Sequence, residues 1–187
     1  LIILSQVKPG FTDSIKWRRK KLYYQVETLI FGEAINRVLK PEQFIIGSSD
    51  NKINKSYLKF LKSYKSKINI MNYKSAELAK ISINLYLISS LSFTNSLAEA
   101  CEKIDADWSK IQPILKQDKR IGKYAYLNPG LGILSGNLQR DLQSYKKILS
   151  ENDCNLEIPK AWQKNSNYRK NWVNNLLNNE LKYFLKK

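Results

Sequence analysis

The feature that most limits what this chain can fold into is a single amphipathic stripe about 30 residues long. Ala76, Leu78, Ile81, Leu85, Ile88, Leu91, Leu97, Cys101 and Ile104 recur at helical spacing across residues 74–104. At 1.5 Å per residue this predicts a helix of roughly 45 Å, longer than a small domain is wide. A helix of that length serves as a spine or as an oligomer interface. Ser75, two residues before Glu77, is a candidate cap for its start.

The flanks differ in kind. Upstream, Leu1–Leu4 runs into Ser5-Gln6-Val7-Lys8-Pro9-Gly10, a strand followed by a turn. Residues 11–22 are polar and basic. Residues 26–39 carry apolar side chains at helical spacing until Pro41, which predicts an amphipathic helix. Phe44–Gly47 and Ile68–Met71 predict two further strands, with a short basic helix over 57–67 between them. Downstream, helices are expected at 107–117, 138–151 and 160–185, and a Gly- and Asn-Pro-containing loop at 121–136. The fold class that follows is mainly α, with an N-terminal α/β remnant. The division is expected at residue 72, with 1–72 as the end of an α/β domain and 73–187 as a helical domain. The chain begins without Met inside an apolar strand, which predicts a piece of a longer protein.

Composition removes several kinds of chemistry. With no histidine, the chain has no Ser-His-Asp or Cys-His nucleophile pair, no histidine-ligated zinc and no histidine acid or base. No metal site is expected. The two cysteines make no disulfide framework, which predicts a reducing, cytoplasmic setting. Cys101 falls on the apolar stripe and reads as core, whereas Cys154 falls in a polar loop. No run of 18 apolar residues occurs, so no membrane span is expected. The formal net charge is +16, but 26 Lys stand against 6 Arg. Base readout leans on the Arg fork, and Trp17, Trp108, Trp162 and Trp172 are too scattered for a stacking platform. The excess therefore reads as a solvated lysine-rich surface that attracts small anions, not as a nucleic-acid grip.

Among polar residues, Lys80 and Asn84 stand four apart on one face of the predicted helix. An ammonium and an amide converging on one pocket can orient a water or stabilise a developing oxyanion. The plainer reading is two surface residues. Asp141 follows the glycine-containing loop near a helix start, where the helix dipole alone favours an acid, and Glu27 has the same plain explanation. Gly130 and Gly132 do not make a dinucleotide fingerprint.

Four segments, taken in order, resemble the UDP-glucose/GDP-mannose dehydrogenase family. Glu77-Leu78-Ala79-Lys80-Ile81-Ser82-Ile83-Asn84 is similar to that family's active-site helix, and Tyr24–Gly47 to its Pro-Glu-Phe-Leu segment ending in Ile-Gly. Asp118–Gly122, Pro129–Gly132 and Gln139-Arg140-Asp141 together resemble its catalytic loop. Asn167-Tyr168-Arg169 resembles the helix leading to its third domain. The resemblance implies the end of an NAD-binding Rossmann domain joined to a central helical dimerisation domain. It also implies NAD as cofactor, a UDP- or GDP-linked sugar as substrate, and a homodimer formed through the long helix, with neither nucleic acid nor membrane as partner.

By the same resemblance, Lys80 and Asn84 hold the catalytic water and the oxyanion, with Asp141 beside them. Glu27 is the base of the hydrolytic step, and Arg120 reaches substrate across the dimer. Gly132 and Asn137 join the substrate-binding residues, and Ser5 and Gln6 the cofactor-binding ones. Where the family carries a cysteine that captures the aldehyde, either Asn137 or Ser135 stands here, and neither is a thiol. Ser5-Gln6 replaces the family's Ser-Thr, and Phe31 replaces an acid. The losses cluster in the second oxidation, so the resemblance implies hydride transfer without a cysteine thioester. The alternative is a non-catalytic oligomerisation module of the same fold.

Overall fold

The computed structural model describes residues 1–26 and 32–184. They fall into two compact units, Leu1–Ile83 and Asn84–Lys187.

The first unit contains a four-stranded sheet. Its strands are β1 (Ile2–Ile3), β2 (Tyr23–Gln25), β3 (Gln43–Gly47) and β4 (Lys67–Met71), and they lie side by side in chain order. β1 runs parallel to β2, β2 antiparallel to β3, and β3 parallel to β4. Short helices α1 (Phe11–Ser14), α2 (Ala34–Leu39) and α3 (Lys55–Lys62) connect them. β2 was not anticipated. Val26, expected to open a helix, instead donates its backbone N–H to Ile45 at 3.1 Å and is buried. The β-favouring run Tyr23–Val26 gains more from the sheet than from helical periodicity. The expected helix over 26–39 is described only as Ala34–Leu39, where Ile35 is 77% exposed. Glu27 and Phe31 lie outside the described residues.

The start of α4 (Tyr73–Ile104) packs on one face of this sheet. Leu22, Tyr24, Val26, Ile45, Tyr73 and Ala76 form the buried cluster there. A Cβ on Gly47 would stand 3.0 Å from that of Ala76 and 3.2 Å from the Cα of Tyr73, so the approach requires glycine. The other face is closed by Tyr23, Phe44, Ile46 and Leu61.

α4 is the predicted long helix, at 32 residues. Its cap is Asn72, not Ser75: the Asn72 side-chain oxygen accepts from the Ser75 backbone N–H at 2.8 Å. It ends where Asp105 turns left-handed (φ 58°) and Ala106 N–H reaches back to the Cys101 carbonyl at 3.0 Å. The buried stripe runs through Ala76, Ile81, Leu85, Ile88, Leu91, Ala98 and Cys101. Leu78 and Ile104, read as part of it, are exposed.

In the second unit, α5 (Trp108–Gln117), α6 (Gly136–Glu151), α7 (Glu157–Lys170) and α8 (Trp172–Phe184) follow. The helix expected over 160–185 is two helices, separated at Asn171, whose N–H bonds the Tyr168 carbonyl. Cys154 is exposed, as its loop position suggested.

Candidate active site

Among the candidates, Asn84 and Asp141 meet directly. Both belong to the second unit, Asn84 on α4 and Asp141 in the second turn of α6. The Asn84 Nδ2 donates to Asp141 Oδ2 at 2.5 Å, and Asp141 is 1% exposed. Asp141 is thus no solvated acid at a helix start, because Leu142 beside it is also fully buried and draws that face of α6 inward. Lys80 stands one helical turn before Asn84 on α4 and is half-buried.

Asn137 lies on α6 one turn before Asp141, is exposed, and accepts from the Arg140 guanidinium at 3.1 Å. Ser135 precedes the helix as its cap residue without a side-chain capping bond. Arg120 lies in the exposed turn after α5 and grips Asp118 in a two-pronged pair, Nε to Oδ1 at 3.0 Å and Nη2 to Oδ2 at 2.6 Å. The Arg120 guanidinium and the Arg120 backbone N–H hold the Asp118 carboxyl below the usual carboxylate range. A depressed carboxyl keeps its pairing above the ordinary value of 3.8 and loses it as pH falls through the folded-state value. Arg120→Ala is expected to return the Asp118 titration toward that ordinary value, followed by carboxyl carbon NMR.

Gly132 has φ +85°, and a Cβ there would stand 2.7 Å from the Ser166 carbonyl oxygen. Its missing side chain admits α7: the Ser166 hydroxyl then accepts from Ile133 N–H at 2.9 Å. Gly130 is held from both sides. Its N–H donates to Asn95 Oδ1 at 2.8 Å, and its carbonyl faces Arg169 Nε at 3.5 Å. Asn95 and Arg169 are 0% and 4% exposed, and the Arg169 guanidinium also lies over the Trp172 ring. The loop before α6 is therefore fixed by Asn95, Ser166 and Arg169.

In the first unit, Ser5 is exposed and Gln6 half-buried, just past the carboxyl end of β1. The turn that follows is tied by Glu77, which is wholly buried. Glu77 accepts from Gly10 N–H at 2.6 Å and Thr12 N–H at 2.8 Å. Sequence reasoning assigned no role to Glu77, Asn95, Ser166 or Arg169. Glu77 and Asn95 do fall in step with the apolar stripe, and a polar residue at such a position was the available signal.

Among the described residues, no group of three His, Cys, Asp or Glu side chains is placed to hold a metal, and no helix is long and apolar enough to cross a membrane.

The first unit thus carries a sheet end with a turn tied by Glu77, and the second a buried Asn84–Asp141 pair and a glycine loop pinned by Asn95, Ser166 and Arg169. The family model for the UDP-glucose/GDP-mannose dehydrogenase central domain matches residues 74–168, and the chain belongs to that family. The UDP-glucose 6-dehydrogenase of Rickettsia bellii is 29% identical over 171 residues, 86% of this chain and 39% of the relative. The UDP-glucose 6-dehydrogenase TuaD of Bacillus subtilis is 30% identical over 122 residues, 65% of this chain and 26% of the relative. A UDP-glucose dehydrogenase from the hyperthermophilic archaeon Pyrobaculum islandicum has the same fold. It matches with a TM-score of 0.83 and 23% identity, over 97% of this chain and 44% of that one. The chain thus spans less than half the length of each of these proteins.

Proposed function

We propose that the chain is part of an NAD-dependent dehydrogenase that oxidises the alcohol of a UDP- or GDP-linked sugar once, without a cysteine thioester. The observation that carries this reading is the buried hydrogen bond from Asn84 to Asp141, which joins two family positions distant in sequence.

The alcohol must lose a proton from oxygen, taken up by solvent water, and a hydride from carbon. Lys80 faces the oxygen and stabilises the negative charge that develops there as the proton leaves. Asn84 spends one N–H on Asp141, so its remaining amide groups are fixed in direction. Asp141 accordingly acts on Asn84's orientation, and the burial of both keeps the pair rigid.

Ser5 and Gln6 would hold the nicotinamide end of the cofactor. They follow the carboxyl end of β1, and their hydroxyl and carboxamide can hydrogen-bond a carboxamide and a ribose. NAD, when bound, supplies the hydride acceptor. Glu77 keeps the turn after Gln6 in shape by holding two of its N–H groups.

Asn137, one turn from Asp141, or Ser135, just before α6, stands in the place of the family's cysteine, and neither side chain is a thiol. Gly132 lets the loop lie close to α7 and turns its backbone toward substrate. Arg120 would exchange Asp118 for a partner copy's substrate, and Glu27, by family position alone the base of the hydrolytic step, has no part in a single oxidation. Tyr86 and Phe93, seven residues apart on α4 and 69% and 57% exposed, support a homodimer through this helix.

The test is the yield of NADH per sugar nucleotide consumed by the full-length protein, with UDP-glucose and GDP-mannose. One NADH per sugar is expected, with a carbonyl product. Two would show that acid formation proceeds without the thiol, and none with either sugar would favour a non-catalytic scaffold.

A further inference from the structure

The segment that connects β1 to β2 carries five cations in six positions: Lys16, Arg18, Arg19, Lys20 and Lys21, interrupted by Trp17. All six are exposed, Trp17 by 54%. Asp13 pairs with Arg19 at 3.5 Å. Lys16, Arg18 and Lys21 form no ion pair among the described residues, and with Trp17 they line an open surface groove.

Its place in the sheet separates it from the proposed cofactor edge. Ile2 is in register with Tyr23, so residues up to Lys21 precede the amino end of β2. The Tyr73 hydroxyl donates to the Leu22 carbonyl at 2.8 Å and the Arg19 carbonyl at 3.2 Å, holding the basic turn at the start of α4. Ser5 and Gln6 stand past the opposite, carboxyl end of β1.

Three cations without a carboxylate partner among the described residues can bind phosphate oxygens, and an exposed indole between them offers a flat face to a ring. A concave wall suits a discrete ligand better than a bilayer surface. A long single strand would need successive aromatic platforms, and Trp17 has no aromatic neighbour within this segment.

We propose that this groove binds a nucleoside polyphosphate, with the Trp17 indole stacked on the base and Lys16, Arg18 and Lys21 on the phosphates. The inference does not depend on the dehydrogenase reading.

The experiment titrates the intact protein with ATP, inorganic tripolyphosphate and adenosine by calorimetry. ATP is expected to bind about tenfold more tightly than tripolyphosphate, the contribution of one stacked base, and adenosine not measurably. Trp17→Ala should bring ATP down to the tripolyphosphate level. The combined Lys16→Ala, Arg18→Ala and Lys21→Ala variant should lose about a hundredfold, with thermal unfolding unchanged because all three side chains are solvated. Should a variant unfold, photolabelling of the wild-type protein with an azido-ATP must mark the peptide that contains Trp17.

ATP binding untouched by these variants would assign the nucleotide to another edge of the protein and overturn the proposal. Equal affinity for ATP and tripolyphosphate would reduce the groove to a basic patch, which also overturns it. Binding of an oligonucleotide or of phosphatidylserine vesicles in place of ATP would assign the surface to a polymer or a membrane instead.

Discussion

Lys80→Ala in the full-length protein is expected to lower kcat for sugar-nucleotide oxidation about a thousandfold while KM for the sugar changes little. The ammonium acts on charge that appears only as the alcohol proton leaves, so its loss falls on the transition state and not on the ground state. Removal of one such donor typically costs on the order of 10²–10³ in kcat. Lys80→Arg tests whether charge alone suffices, because the planar guanidinium cannot occupy the same point and recovery should be small. Steady-state kinetics of NADH release decide the matter, and a Lys80→Ala enzyme with normal kcat would end the assignment of this residue.

Glu77→Ala should be the most damaging single change to the first unit, at about 2–6 kcal/mol for the two stranded donors. The carboxylate is fully buried and both oxygens are engaged, by Gly10 and Thr12. Truncation strands two backbone N–H groups away from water, and each such donor costs about 1–3 kcal/mol. Glu77→Gln retains the volume but turns an amide N–H toward one of the two donors, so it should recover only part of the loss. Urea unfolding monitored by circular dichroism measures both. Equal stability of Glu77→Ala and wild type would mean that water replaces the carboxylate, and that the turn is not tied as described.

The parts of the fold that could be read in advance were those whose periodicity had room to repeat. α4 was predicted nearly to its ends because its apolar residues return every three or four positions over many turns. β2 escaped notice because it has three residues, follows a basic run, and leads into a segment that imitates helical spacing. Its identity depends on Ile45 and Gly47, far along the chain. A window of adjacent residues contains nothing of that pairing.

The candidate site divides in the same way. Lys80 and Asn84 were legible because a helix converts a spacing of four into a shared face. Asp141 was legible only by resemblance, since its burial depends on a partner 57 residues away. Asn95 was marked only as a polar residue in step with the apolar stripe, and Arg169 carried no local signature. Their task is to hold Gly130, and neither residue has any sequence relation to that glycine.

The grip on Gly130 and Gly132 also bears on how the gene can change. From Asp118 to Asn128 the chain is largely solvated, with Tyr124 88% exposed, and Leu127 is the buried exception. From Gly130 to Ile133 the backbone is taken by α4 and α7. Insertions and deletions can therefore accumulate on the first side and be purged on the second. Relatives of this chain should differ in loop length before the Pro129-Gly130 step and agree in length from Gly130 to Ile133.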